Sequence, residues 1–233
     1  MKNAIVLCSG GLDSVSCAHY VKKKLRYEEI ILLFFDYGQR TLRQEFRYAK
    51  LCAKELSADF IKIKLPRVSI ITGDLLNKKR ASKISKTGLK DTSNESKKWY
   101  VPQRNLIFLS YALSLSESLF INAGSNYDIF VGFKHEGREH YPDTTKEFVS
   151  KLNEIKKEGG VGKFKIVAPF IKKDKEDIVL IGKRIGVDLS KTYSCYVGNK
   201  IHCGECLACR LRREGFYWAN VEDPTKYKLL SFN

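Results

Sequence analysis

A chain of 233 residues with 43% apolar and 29% charged side chains is long enough to bury a substantial core, and its charge content argues for a soluble α/β-sized protein rather than a fibrous one. Its 42 basic and 26 acidic residues leave a formal charge of +16, which favours anionic ligands, although the scattered lysines by themselves define no nucleic-acid face. No apolar run approaches the ~18 residues of a membrane span, and Ala4–Cys8 is too short for a secretory signal, so a cytoplasmic protein is expected.

Ala4–Leu7 reads as a buried strand and Val15 to about Leu25 as a helix, with Cys8-Ser9-Gly10-Gly11-Leu12-Asp13-Ser14 as the turn between them. The paired glycines permit a sharp turn, and successive N–H groups ahead of a helix make a concave site for phosphate. Ser9 and Ser14 add hydroxyl donors, while Asp13 is suited to capping the helix or holding a metal ion. No Lys-Ser/Thr pair closes a Gly-x-x-x-x-Gly, so this is not the phosphate loop of kinases and GTPases. The plain alternative is an ordinary strand-to-helix turn.

Ile30–Phe35 is a second, continuous apolar strand ending in Asp36-Tyr37-Gly38-Gln39-Arg40, where a parallel sheet presents its ligand-facing ends. Asp36 suits a ribose hydroxyl or Mg²⁺, or equally a helix cap. Thr41–Ser57 reads as a helix and Phe60–Leu65 as a more exposed, alternating strand. Two β-α-β steps thus predict a doubly wound, mainly parallel α/β sheet of five strands. The basic stretch within about 66–98 breaks the rhythm; a solvated loop is favoured over a lid.

Pro102 suits the first turn of a helix over Gln103–Ala123, whose stripe Leu106, Leu109, Leu113 and Phe120 predicts deep burial. Arg104 and Asn105 open it, and an arginine there can clamp a carboxylate or phosphate or simply pair with an acidic neighbour. Tyr127–Phe133 reads as the fourth strand, ending in a polar loop with His135, His140, Tyr141 and Asp143; the irregular histidine spacing argues against a metal site. Thr144 or Thr145 caps a helix to about Lys157, Lys165–Phe170 is a fifth strand, and a last helix of this unit runs from Asp174 or Lys175 to Ile185.

Cys8, Cys17 and Cys52 are isolated among apolar neighbours and read as core residues. Cys195, Cys203, Cys206 and Cys209 lie within one short segment at spacings that supply the four thiolates of a structural zinc site. His202 is a weaker candidate than Cys195, and free thiols or a redox Cys-x-x-Cys pair are the alternatives. A zinc-binding C-terminal segment, 191–233, therefore follows a nucleotide-binding unit, 1–190.

Ser9–Ser14 resembles the pyrophosphate loop (PP-loop) of the N-type ATP pyrophosphatases, with the sheet of the adenine nucleotide alpha hydrolase-like folds. Within that superfamily the chain is similar, in register from Ala4 to Phe216, to the 7-cyano-7-deazaguanine synthase family. The likeness is carried by Ser9–Ser14, Phe35–Arg40, Val101–Asn105, Tyr141–Asp143, Ala168-Pro169, Thr192–Tyr196 and Cys203–Arg212. It implies a carbon–nitrogen ligase of queuosine biosynthesis that uses ATP, Mg²⁺ and a structural Zn²⁺ to convert 7-carboxy-7-deazaguanine and ammonia into the nitrile preQ0, and it implies a homodimer.

By the same resemblance Cys8, Ser9, Gly10, Gly11, Leu12, Asp13 and Ser14, with Asp36, Gln39 and Arg40, would bind ATP. Ser9, Asp13, Ser14 and Arg104 would serve catalysis, Arg104, Asn105, His135, Tyr141 and Asp143 the acid, and the four clustered cysteines zinc. The chain departs from the family's pattern at Gly132–His140 and in having Thr144 where cysteine is expected. A different acceptor, such as a protein terminus or a base carried by tRNA or DNA, is the alternative that this departure and the charge keep in view.

Overall fold

In a computed structural model that describes residues 2–66, 99–134 and 141–228, five strands form one all-parallel sheet. The strands are β1 (Asn3–Leu7), β2 (Glu29–Asp36), β3 (Asp59–Lys64), β4 (Tyr127–Phe130) and β5 (Ile166–Val167), in the order β3-β2-β1-β4-β5. The order reverses between β1 and β4, so the crevice for a ligand opens at the carboxyl ends of those two strands. β1 is apolar from Ala4 to Leu7 and β2 from Ile30 to Phe35 because both their faces are covered, and Val6, Leu32 and Leu33 are fully buried. β3, at the edge, alternates between exposed and half-buried residues as its pattern predicts.

The helices are α1 (Leu12–Lys23), α2 (Leu42–Leu56), α3 (Arg104–Ala123), α4 (Lys146–Gly159), α5 (Lys175–Arg184) and α6 (Leu207–Trp218). One core layer joins α1, α2, α5 and α6 to the sheet through Val15, Cys17, Ala49, Cys52, Ile178 and Phe216, and it also holds Cys8, so all three isolated cysteines are core residues. The other joins α3 and α4 to the opposite face through Leu109, Ala112, Leu152 and Ile129. The sheet is therefore covered on both sides, and residues on either side of 190 share one core.

Four boundaries differ from the sequence reading. α1 begins at Leu12, directly on the glycine turn, rather than at Val15. α3 begins at Arg104, because Gln103 takes a left-handed backbone (φ 55°) and Pro102 belongs to the preceding turn. This helix buries one face, Asn105, Leu109, Ala112 and Ser116, while Tyr111 and Ile121 are exposed, so its burial is one-sided rather than deep. It is also long and apolar enough, by length and composition, to cross a membrane, but here that apolar face packs on the sheet. β4 and β5 are shorter than expected, ending at Phe130 and Val167.

Helix ends follow their signals. Asp174 makes a capping box with Asp177 at the start of α5, and the Thr145 hydroxyl accepts the Phe148 N–H at 3.1 Å to start α4. His19 on α1 is buried, and its ring nitrogens have no hydrogen-bond partner. Burial, helped by the Lys23 charge and opposed by Glu55, pulls its pKa from 6.5 down to about 4. The neutral ring is thus the folded form, and its contribution is whole above pH 6.5 and lost as pH falls towards 4. Stability should drop by about 3 kcal/mol across that window, and a His19→Gln variant should show a correspondingly flatter denaturation profile against pH.

Candidate active site

The Ser9–Ser14 turn is built by its own side chains. Ser9 N–H donates to Ser14 Oγ at 3.2 Å, the two hydroxyls lie 3.2 Å apart, and Ser14 Oγ donates to the Gly11 carbonyl at 3.1 Å. Gly10 takes φ +77° and sits where a Cβ would stand 2.7 Å from the Glu45 carbonyl and 2.8 Å from the Ala49 nitrogen of α2. Its own carbonyl accepts the Tyr193 N–H at 2.8 Å. Gly132, just past β4, presses on the other side, since a Cβ there would lie 2.9 Å from the Asp13 backbone. β4 ends at Phe130 rather than Phe133, with the Val131 N–H still reaching the Val167 carbonyl at 3.1 Å before the chain passes the turn at Gly132.

A cavity of about 310 Å³ opens above the turn. Cys8, Ser9, Gly11, Asp13 and Ser14 form its floor, and the ends of β1 and β2 one wall. Trp99, Tyr100, Phe108, Phe133, Tyr141 and Tyr196 supply aromatic surface, with Arg104, Asn105 and Asp143 as polar groups. Tyr100 and Tyr141 stack at 5.7 Å with 12° between their rings. Arg104 lies over Tyr37 and Phe108 and donates from Nη1 to the Tyr37 hydroxyl at 3.3 Å, leaving Nε buried without a partner.

Asp143 is 4% exposed. Its Oδ2 accepts the Asn105 N–H at 3.3 Å, and its carbonyl accepts from Asn105 Nδ2 at 3.3 Å. Among the described residues its Oδ1 has no partner. A buried carboxylate oxygen without a donor is costly unless something else supplies one, so this wall fits a ligand bearing N–H groups. Thr144 donates its hydroxyl to the Tyr141 carbonyl at 2.9 Å, which holds the tight turn that carries both residues.

Other expected residues stand differently. Leu12 faces a second cavity rather than the first, and Gly10 faces α2. Asp36 pairs with Lys62 at 2.8 Å and lines neither cavity. The buried Gln39 side chain accepts the Tyr37 N–H and donates to the Phe35 carbonyl and to Glu45, so it braces the strand end. Arg40 lines neither cavity, and its carbonyl would lie 2.9 Å from a Cβ at Gly198. His135 and the basic segment within 67–98 lie outside the described residues.

Among the site residues that escaped the sequence reading, three bear on the turn itself. Glu45 lines both cavities, accepts from Thr41 and Gln39, and is lifted above the usual carboxylate range by burial, against those donors and the Arg104 charge. Its only signal was a carboxylate one turn into α2, just past a strand end. Lys175 reaches from α5 to Asp13, and Gly132 touches the turn; neither contact is visible in local sequence.

Behind the turn, Cys195, Cys203, Cys206 and Cys209 bring their four Sγ atoms within 4.8 Å of one another, all among buried or half-buried surroundings. Cys203 and Cys209 Sγ are 3.9 Å apart, close to the roughly 3.8 Å edge of a tetrahedron with 2.3 Å metal–sulfur bonds. Backbone N–H groups of Val197 and Cys203 point at Cys195 Sγ, that of Cys206 at Cys203 Sγ and that of Tyr196 at Cys206 Sγ, as thiolates require. The donor set fits a metal such as zinc and leaves no open position. His202 is not part of it, because its Nε2 accepts the Ser194 N–H at 3.0 Å. The fully buried Arg212 ties the same segment down through Thr192, Ser194 and the Leu189 carbonyl.

A glycine turn at the switch point of a doubly wound parallel sheet, with a cysteine knuckle packed behind it, is the α/β arrangement expected of a PP-loop protein. The family model described as "Queuosine biosynthesis protein QueC" matches residues 3–220, and the chain belongs to that family. Curated 7-cyano-7-deazaguanine synthases are similar over almost their whole lengths. That of Campylobacter curvus is 38% identical, covering 99% of this chain and 100% of its own. That of Methanothermobacter thermautotrophicus is 34% identical, covering 97% and 99%. Among solved structures, the NMN synthetase of Francisella tularensis is similar with a TM-score of 0.44 at 12% identity, covering 95% of this chain and 78% of that one.

Proposed function

We propose that this chain is an ATP-dependent carbon–nitrogen ligase that converts 7-carboxy-7-deazaguanine and ammonia into 7-cyano-7-deazaguanine. The observation that carries the reading is that one cavity joins the Ser9–Ser14 turn to the aromatic wall holding Arg104 and Asp143. A nucleotide triphosphate and a planar acid would then meet at the strand ends. The substrate carboxylate attacks the α-phosphorus of ATP, the bond to the β-phosphate breaks, and pyrophosphate leaves. Ammonia displaces AMP to give the amide and a proton. A second ATP activates the amide oxygen in the same way, and loss of AMP and a proton leaves the nitrile.

The residues divide the work by charge and place. The N–H groups of the turn with Ser9 and Ser14 hydroxyls hold phosphate oxygens. Arg104 offers its unpartnered Nε to a phosphate or to the acid, and Asp143 Oδ1 accepts the N–H edge of the deazaguanine, between the Tyr100–Tyr141 stack and Phe108. Asp13 is suited to hold Mg²⁺, which offsets charge on the triphosphate. Zinc in the cysteine cluster is structural. The need for ATP and for four reduced thiols supports a cytoplasmic setting. The resemblance also carries a homodimer, for which exposed Tyr111 and Ile121 offer apolar surface, and light scattering would decide it.

Incubation with ATP, Mg²⁺, ammonia and the acid should yield AMP and, by mass spectrometry, the nitrile. AMP without nitrile would sink the named substrate and keep an adenylating enzyme with another acceptor. Asp143→Asn should lower kcat/KM for the acid at least 100-fold, because its amide turns a donor towards the substrate's donors, while ATP affinity stays within twofold. Near-normal turnover in that variant would remove Asp143 from recognition.

A further inference from the structure

Amide formation releases one proton and nitrile formation another, so a group in the site has to accept them. Among the described residues no histidine lines either cavity, and the lining carboxylates are Asp13, Glu45 and Asp143. Both oxygens of Asp13 are engaged by a cation, Lys175 Nζ, at 2.8 and 2.6 Å. Asp143 lines the first cavity alone, and its Oδ2 already accepts the Asn105 N–H at 3.3 Å.

Glu45 is differently placed. It stands in the first turn of α2, half-buried, where its backbone carbonyl presses on Gly10 of the turn. The residue lines both the first cavity and the second, of about 180 Å³; the others they share are Ser9, Gly11, Asp13, Tyr141 and Tyr196. Its carboxylate accepts from the Thr41 hydroxyl on one oxygen and from Gln39 Nε2, at 3.0 Å, on the other. Both donors are neutral, and each oxygen keeps a lone pair. Gln39 is itself fixed by the Tyr37 N–H and the Phe35 carbonyl, so the strand end aims the carboxylate without a paired cation. Such a carboxylate costs stability, and packing alone does not account for it. Burial lifts it above the usual carboxylate range, against those two donors and the Arg104 charge, which makes it a stronger base than an exposed glutamate.

We propose that Glu45 is the general base of both rounds, taking a proton first from the attacking ammonia and then from the activated amide. This role rests on the adenylating reading above. In the first round the lone pair of ammonia forms the carbon–nitrogen bond to the acyl adenylate. Glu45 takes one proton from that nitrogen, and the bond from carbon to the AMP oxygen breaks, its electron pair leaving on AMP. In the second round the amide oxygen attacks ATP, and the departing pyrophosphate carries off one N–H proton, leaving a neutral imidate. Glu45 takes the remaining N–H proton, the freed pair becomes the third carbon–nitrogen bond, and AMP leaves with the oxygen. The proton on Glu45 passes to solvent after each round.

Two reactions of the whole chain with Mg²⁺ test this. Exchange of labelled pyrophosphate into ATP, dependent on the acid and run without ammonia, reports adenylation; nitrile formation from the acid with ammonia, or from the amide, reports the proton-removing steps. Glu45→Gln should lower nitrile formation from either compound about 100-fold or more, while exchange stays within about threefold of wild type. Glu45→Ala should lose as much, and added acetate should return about tenfold to Glu45→Ala but nothing to Glu45→Gln, whose side chain still fills the space. Near-normal nitrile formation in Glu45→Gln would overturn the proposal. So would exchange lost in step with nitrile formation in both variants, which would make Glu45 a brace for Gln39, or acetate that raises both variants alike. Wild-type protein without acid-dependent exchange would sink the adenylating reading itself, and this inference with it.

Discussion

Gly10→Ala is expected to cost at least 100-fold in ATP affinity and about 3 kcal/mol in stability. Two effects add. The backbone at Gly10 is left-handed, at φ +77°, which an alanine adopts only under strain. Its new methyl would meet the Glu45 carbonyl at 2.7 Å, the Ala49 nitrogen at 2.8 Å and the Tyr48 Cβ at 2.9 Å. These belong to the helix backbone and its stem, so relief means shifting α2 away from β1 or reshaping the turn. Either way the N–H groups no longer converge on phosphate. Gly11→Ala is the control, because Gly11 has an ordinary φ of −75° and the nearest atoms to its Cβ would be Ser9 Oγ at 3.3 Å, the Tyr193 carbonyl at 3.6 Å and Ser14 Oγ at 4.0 Å. Urea denaturation with nucleotide titration separates the two; a Gly10→Ala protein that binds ATP normally would show that the turn tolerates the methyl.

The second large effect concerns the cysteine cluster. The protein should contain one zinc per chain by elemental analysis, and Cys209→Ser should lose it. Because the cluster sits in its own buried core with Tyr193, and Tyr193 is bonded to Gly10, the loss should lower the melting temperature by about 10 °C or more. Activity should go with it although no cluster residue needs to touch the reacting atoms. A metal-free protein with an intact melting profile, and a disulfide between two of the four cysteines, would favour the redox alternative.

How far the sequence carries depends on whether a residue's partner is near or far along the chain. β1, β2 and the strand-end motifs are legible because a parallel strand covered on both faces has to be apolar throughout and then turn polar. The cysteine cluster is legible because its ligands are local. β5 is shorter than the Lys165–Phe170 that its apolar run predicts, because Pro169 cannot donate to a ladder and the chain turns there, Ile171 N–H reaching back to the Ala168 carbonyl. The apolar period of α3 gives its inner face but not how many sides are covered. Glu45, Gly132 and Lys175 stayed hidden for the same reason: each acts on the turn from an element whose position only the folded sheet determines.

The hydrogen bond from Tyr193 to the Gly10 carbonyl also has a meaning for the order in which a newborn chain matures. The turn leaves the ribosome well before Tyr193, the residue that latches it. At roughly 10 residues per second the gap is on the order of 20 seconds. Through that interval β1 and α1 lack the backbone contact that fixes the Gly10 carbonyl, and α6 has not been made. Incomplete chains, including those released early by a stop within the first 190 or so codons, would thus make poor ATP traps, and competence would arrive in one late step when the knuckle closes.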